Sequence, residues 1–245
     1  MNSEANASLS NSLTVIVPCY NEENNIRDAM KNLWVALEGI VHDFEILLIN
    51  DASTDRTGEI LEEIKPNYPK TKVIHLKKNR GMGYVFFYGL AQGTKNYITV
   101  FVGDNEIDPK SFRNLLCQIG KADIITAFHS NPEVRPFHRR CFSKLFTILV
   151  QLATRTRLRY YNGPAIHRRE DIMKLAMQND GFGFLAEITT ALLQQGKNCL
   201  EFPILFKPRQ YGLSQALQWK SIRSVLNTLG RMAMQRYAIY GTACY

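Results

Sequence analysis

Residues 13–51 read LTVIVPCYNEENNIRDAMKNLWVALEGIVHDFEILLIND. The run Leu13 to Val17 is short, apolar and rich in β-branched residues, and Pro18 ends it, as expected of a buried strand. From Glu22 to Leu37 the apolar residues Ile26, Met30, Leu33 and Leu37 recur at helical spacing, which predicts an amphipathic helix. Phe44 to Ile49 is a second run, apolar except for Glu45 and too short for a helix, and reads as a buried strand. Strand, helix and strand of these lengths make a βαβ unit, and only a parallel pair of strands needs so long a connection.

The pattern then repeats. Thr54-Asp55 is placed to cap a helix running to Ile64, Lys72 to Leu76 reads as a third strand, Gly83 to Gln92 as a helix and Tyr97 to Val102 as a fourth strand. The expected fold is Rossmann-like α/β, a mostly parallel sheet flanked by helices. Right-handed crossovers then bring the loops that follow the strands to one edge, where open α/β sheets bind ligands. Each of those loops is polar: Asn21-Glu22, Asn50-Asp51, Asn79-Arg80 and Asp104-Asn-Glu106.

Past Asp123 to Thr126 the regular alternation stops. A polar, proline-bearing stretch, His129 to Arg140, precedes an apolar segment with Leu145, Ile148, Leu149 and Leu152 on one helical face. Short strands at Pro164 to His167 and Cys199 to Phe206 enclose a helix near Gly183 to Leu193. A last stripe, Ile222, Val225, Leu226 and Leu229, predicts an amphipathic helix in 214–245. The polar residues 1–12 lack an apolar core and are expected to be a disordered leader rather than a signal peptide. One domain is expected over 13–213, with 214–245 as a helical extension.

Lys and Arg exceed Asp and Glu by 8, which by itself admits nucleic acid, an anionic membrane or a phosphorylated substrate as partner. Acids at three of the four strand ends would repel a phosphate backbone, so nucleic acid is not expected. Five scattered cysteines without a CxxC pair argue against a zinc site or disulfide framework and for a reducing compartment.

Asp104-Asn-Glu-Ile-Asp108 offers alternate carboxylates after a buried strand, suited to a hard cation such as Mg²⁺ or Mn²⁺. The plainer alternative is that these acids cap the helix beginning at Pro109. Asp51 and Glu22 suit ribose hydroxyls or a base edge, or else helix capping. Asn79-Arg-Gly-Met-Gly83 is a glycine-bearing turn into a helix, open to a phosphate-containing ligand. Arg135, Arg139 and Arg140 suit an anionic acceptor or a solvated loop. Arg209 with Ser214 is placed to hold a diphosphate, and Glu187 is a carboxylate among apolar neighbours that needs a reason for burial.

Taken in order, Ile16-Val-Pro-Cys-Tyr-Asn-Glu22, Ile49-Asn-Asp-Ala-Ser-Thr-Asp55, Asn79-Arg-Gly-Met-Gly83 and Val102-Gly-Asp-Asn-Glu106 resemble the inverting family 2 glycosyltransferases of GT-A fold. The likeness runs from about Leu13 to about Leu217 and is nearest to the dolichyl- or polyprenyl-phosphate mannosyl- and glucosyltransferase branch. It implies that Pro18, Tyr20, Glu22, Asp51, Asn79, Gly81, Asp104, Arg209 and Ser214 hold the nucleotide-sugar. It implies a metal on Asp104 and Glu106, with Asp108 as an additional contact, and Asp104, Glu106 and Arg209 as the catalytic groups. Arg135, Arg139, Arg140 and Glu187 would bind a lipid-phosphate acceptor at an anionic membrane surface, on the cytoplasmic side, with a separate membrane-protein partner as a further expectation. The chain departs from the family pattern at Asn50, Ala52 and Glu106, which touches the identity of the sugar nucleotide more than the class of reaction. A glycan hydroxyl acceptor, with Asp108 or Glu187 as base, is the alternative; a non-catalytic nucleotide-sugar binder is a third.

Overall fold

The computed structural model describes residues 11–175, 177, 181, 183–208 and 227–232. Its sheet has seven strands: β1 (Leu13–Cys19), β2 (Phe44–Asn50), β3 (Thr71–His75), β4 (Tyr97–Val100), β5 (Ile124–His129), β6 (Ala165–Arg168) and β7 (Cys199–Ile204). They lie in the order β3-β2-β1-β4-β6-β5-β7. The four strands of the amino-terminal half run parallel, in agreement with the βαβ reading. β6 runs antiparallel between β4 and β5, and β7 is parallel to β5.

Helices α1 (Ile26–Leu37), α2 (Thr57–Ile64) and α4 (Pro109–Leu116) cover one face, while α3 (Met82–Gln92) and α7 (Phe184–Gln194) cover the other. The strands are therefore apolar on both sides. Val15 and Val17 of β1, with Ile46 and Leu48 of β2, face the first layer; Ile16, Leu47 and Ile49 face the second. This double burial is why these strands read as apolar runs, interrupted only by Thr14 and Glu45, rather than as alternating ones.

Two elements differ from expectation. Helix α5 (Phe137–Thr154) begins inside the stretch read as a polar loop. Pro136 precedes its first residue and fixes the chain's entry, so Arg139 and Arg140 lie in the helix's first turn and only Arg135 precedes it. A short helix α6 (Arg169–Lys174) follows β6 directly. At the amino end Asn11 and Ser12 are tied to the fold: the Asn11 amide donates to the Ile119 carbonyl, and Ser12 accepts the backbone N–H groups of Asn96 and Tyr97. Residues 227–232 form a helical segment whose Met232 packs with Phe146, Val150 and Tyr161. The rest of 214–245 lies outside the described residues.

Candidate functional site

The carboxyl ends of β1 and β2 are stitched together by side chains. Asn21, at φ 56°, donates its N–H to the Ser53 hydroxyl, and its side-chain oxygen accepts the N–H of Thr54. Glu22 donates its N–H to the Thr57 hydroxyl, 2.8 Å away. The Glu23 N–H reaches Asp55, while the Arg56 N–H reaches the Glu23 carboxylate. Asp55 also accepts the Thr57 N–H at the start of α2, although Arg56 rather than Thr54 or Asp55 takes the N-cap position. These loops carry no regular backbone pairing, so polar side chains satisfy their amides instead.

Pro18 is buried in register with Ile49, and Tyr20 beside it is half-buried at the strand exit. The Glu22 carboxylate is buried and accepts the Asn25 amide at 2.7 Å. Asp51, 4% exposed, accepts the backbone N–H groups of Arg80 and Gly81, each at 2.8 Å. That fork holds the β3–α3 loop down on the end of β2. Gly81 sits at φ 87°, where a side chain would be strained, and its carbonyl accepts the Val85 N–H to begin α3. Asn79 is exposed just before it.

The loop after β4 carries the acids. Asp104 accepts the N–H of Glu106 at 3.2 Å, and Asn105, at φ 58°, accepts from the Asn32 amide of α1. Asp104 lines a cleft of about 260 Å³ with Asn25, Asp28, Lys31, Asn105 and Lys207. Glu106 is buried, and its carbonyl accepts the Lys207 N–H at 2.7 Å. Asp108 accepts the Ser111 N–H at 2.9 Å, so one of its oxygens caps α4. Among the described residues no three His, Cys, Asp or Glu side chains converge as a ready metal cage. Two hard carboxylates on one loop still fit a cation that completes its shell with waters and a diphosphate.

Sequence reasoning missed the residues that join this loop to the arginines. Segment 205–207 lies between them. On one side Ile107 pairs antiparallel with Phe206, and Asp108 donates its N–H to the Leu205 carbonyl. On the other side Asn131 accepts the Phe206 N–H and donates to the Phe206 carbonyl. The Phe206 ring lies against His129, with ring centres 3.9 Å apart and planes tilted by 34°, and the Arg135 guanidinium lies 5.9 Å from its centre. Arg135 also donates to the Tyr160 hydroxyl at 3.4 Å. Burial, then the charges of Arg135 and Arg139, push the His129 pKa down to about 3, so the ring is neutral and both arginines lie near it. Asn131 and Phe206 carry no local signal, since one precedes a proline and the other closes an apolar run.

Glu187 is buried on α7, and Arg231 supplies the reason: it pairs with both carboxylate oxygens, at 3.3 and 3.4 Å. Arg209 and Ser214 lie outside the described residues.

The chain is similar to a dolichol-phosphate mannosyltransferase of Pyrococcus furiosus, 28% identical over 90% of this chain and 63% of the relative. It is also similar to an undecaprenyl-phosphate 4-deoxy-4-formamido-L-arabinose transferase of Pseudomonas fluorescens, 24% identical over 83% and 59%. The chain thus spans under two thirds of the length of either relative. In fold it matches a crystal structure of glucosyl-3-phosphoglycerate synthase from Mycobacterium tuberculosis in complex with Mn²⁺, UDP and phosphoglyceric acid. The TM-score is 0.69 at 16% identity, covering 92% of this chain and 81% of that one. The model of one family, Glycosyl transferase family 2, matches residues 14–174, well over half of the sequence, and the chain belongs to that family.

Proposed function

We propose that this chain transfers a sugar, with inversion, from a GDP- or UDP-linked donor to a polyprenyl or dolichyl phosphate at the cytoplasmic face of a membrane. The observation that carries this reading is the junction at segment 205–207. It joins the acid loop 104–108 to the arginine-bearing segment, so a donor diphosphate and an anionic acceptor would meet at adjoining surfaces. The relatives named for dolichol-phosphate and undecaprenyl-phosphate transfer support the choice of acceptor.

In this reading Tyr20, Glu22 and Asp51 flank the nucleoside, together with the loop bearing Asn79 and Gly81. Asp104 and Glu106 would hold Mg²⁺ or Mn²⁺, with waters and the diphosphate completing the shell, while Asp108 caps α4. Bound there, the cation would neutralise charge building on the departing diphosphate. Arg209 and Ser214 would share that task. Arg135, Arg139 and Arg140 would grip the acceptor phosphate. A phosphate is already an anionic nucleophile at neutral pH and needs no strong general base. That suits what Asp108 and Glu187 do here, since one caps a helix and the other pairs with Arg231. The hydroxyl-acceptor alternative would require one of them as a base. Glu187 would instead help hold the acceptor side together.

Helix α5 supplies a surface for the membrane. It leaves Phe137, Phe142, Leu145, Ile148 and Leu152 exposed, contains Arg139, Arg140 and Lys144, and has no acidic residue. An amphipathic helix of this composition lies in the interface of an anionic bilayer. Among the described residues no helix is long and apolar enough to cross a membrane, and a separate membrane protein would be a natural partner.

The test is a panel of GDP-mannose, UDP-glucose and related donors with farnesyl phosphate, with and without Mn²⁺, read by mass spectrometry. A metal-stimulated prenyl-phosphate sugar is expected. Asp104→Asn should lower its formation on the order of 10²-fold. Transfer to glycans alone would replace this reading with the hydroxyl-acceptor one.

A further inference from the structure

The backbone of segment 205–207 is shared between two parts of the molecule. Leu205 and Lys207 are bonded toward the acid loop, through the N–H of Asp108 and the carbonyl of Glu106. Phe206 points its own N–H and carbonyl the other way, and the side chain of Asn131 takes both, at 3.0 and 2.8 Å. One amide thus does what a neighbouring strand would do. It begins where the pairing of β5 with β7 ends, at His129 and Ile204, and where Ser130 donates its N–H to the Ile204 carbonyl. Past that point the Asn131 clamp and the Phe206 ring contacts continue the connection. The ring links on through His129 to Tyr160, and Tyr160 meets Arg135.

We infer that Asn131 is a positioning residue that couples the two substrates: by fixing Phe206 between the acid loop and Arg135, it makes binding of a metal–nucleotide tighten binding of a prenyl phosphate, and the reverse. The inference rests on the transferase reading above. Its physical content is a contiguous chain of packed rings and hydrogen bonds between two sites, one route along which binding at either can bias the position of the other. Asn131 gives both ends of its amide to the Phe206 backbone rather than to a ligand. Its removal should therefore weaken the mutual effect more than either affinity taken alone. A residue that only stabilised the fold would alter both affinities or neither, and would leave the factor by which each probe changes the other's affinity intact.

Calorimetry on the full chain tests this with two probes, Mn²⁺ with UDP and farnesyl phosphate, each titrated with and without the other. In the wild type each probe should raise the affinity of the other about fivefold or more, within the usual range for coupled sites. In Asn131→Ala the factor should fall below about twofold, while UDP affinity measured alone stays within about threefold of wild type. Asn131→Asp still accepts the Phe206 N–H but cannot donate to its carbonyl, and should give an intermediate factor. Phe206→Leu keeps the backbone pairing and removes the ring, so it should lose coupling while Asn131 remains in place. An undiminished factor in Asn131→Ala overturns the inference. So does binding of both probes by the wild type with no mutual effect, an outcome that leaves the transferase reading standing. Failure of the wild type to bind UDP with Mn²⁺ overturns the transferase reading and the coupling with it.

Discussion

Asp51 holds two backbone amides with one carboxylate, and each bond is charge-assisted and shielded from water. Such a bond contributes about 1.5–3 kcal/mol. Asp51→Asn keeps one acceptor oxygen and turns an amide N–H₂ toward the second donor, so about 2 kcal/mol of stability should be lost. The measurement is urea unfolding, in which the midpoint should drop while the slope stays the same. UDP affinity should fall as well, because the loop bearing Asn79 and Gly81 would no longer be pinned. An unmoved midpoint would mean that the fork contributes nothing in solution. That Asp51 matters could be read from its place at the end of an apolar run; what it holds could not. Its partners lie 29 and 30 residues away, and the clamp from Asn131 to Phe206 spans 75. Bonds of that separation leave no periodicity in the sequence, so Asn131, Thr57 and Phe206 stayed invisible while the acids did not.

At the scale of elements, the strands and the first helices were legible because run length separates short apolar strands from the longer helical stripes between them. Helix α5 was half hidden. Its first turn holds His138, Arg139 and Arg140, and prolines at 132 and 136 mimic a loop, so the apolar stripe showed only from Leu145 onward. The direction of β6 was also unreadable, since a strand of four residues takes its direction from β4 and β5 beside it. The exposed stripe of α5 carries its own prediction. Phe137 and Leu152 are 76% and 69% exposed, and inserting half-exposed Leu or Ile side chains into a bilayer should yield about 1 kcal/mol each. Replacing Leu145, Ile148 and Leu152 together by Ser leaves the basic residues in place. Binding to vesicles containing phosphatidylglycerol should then weaken about 100-fold, a change that sedimentation measures directly. If partitioning is unaltered by the triple substitution, α5 is not the docking face.

Across the whole molecule, the amino-terminal parallel half is joined to β5, β6 and β7 within the sheet by the antiparallel pairing of β4 with β6, and beyond it by the bridge from Ile107 to Phe206. Both histidines with strongly lowered pKa values lie in the second half: His129 ends β5 and His167 lies in β6. Burial drives His167 down to about 4, partly opposed by Asp171, and its Nε2 meets the Thr189 hydroxyl on α7. His129 goes lower, to about 3, because Arg135 and Arg139 add to its burial. A histidine depressed in the folded state favours folding fully above its unfolded value near 6.5. That contribution is lost as pH falls from 6.5 toward the folded values, because the unfolded chain takes up protons that the native chain refuses. Each histidine should therefore remove about 1.4 kcal/mol per pH unit below 6.5. Between pH 6.5 and 5 few carboxylates titrate, so the loss in that window belongs to the histidines. Urea midpoints should accordingly drop steadily between pH 7 and pH 5. His129→Phe, which keeps a ring between Tyr160 and Phe206, should remove about half of that slope. A wild-type midpoint that is flat over this interval would show that both rings reach water, and with His129 in water the junction beside Arg135 would be open too.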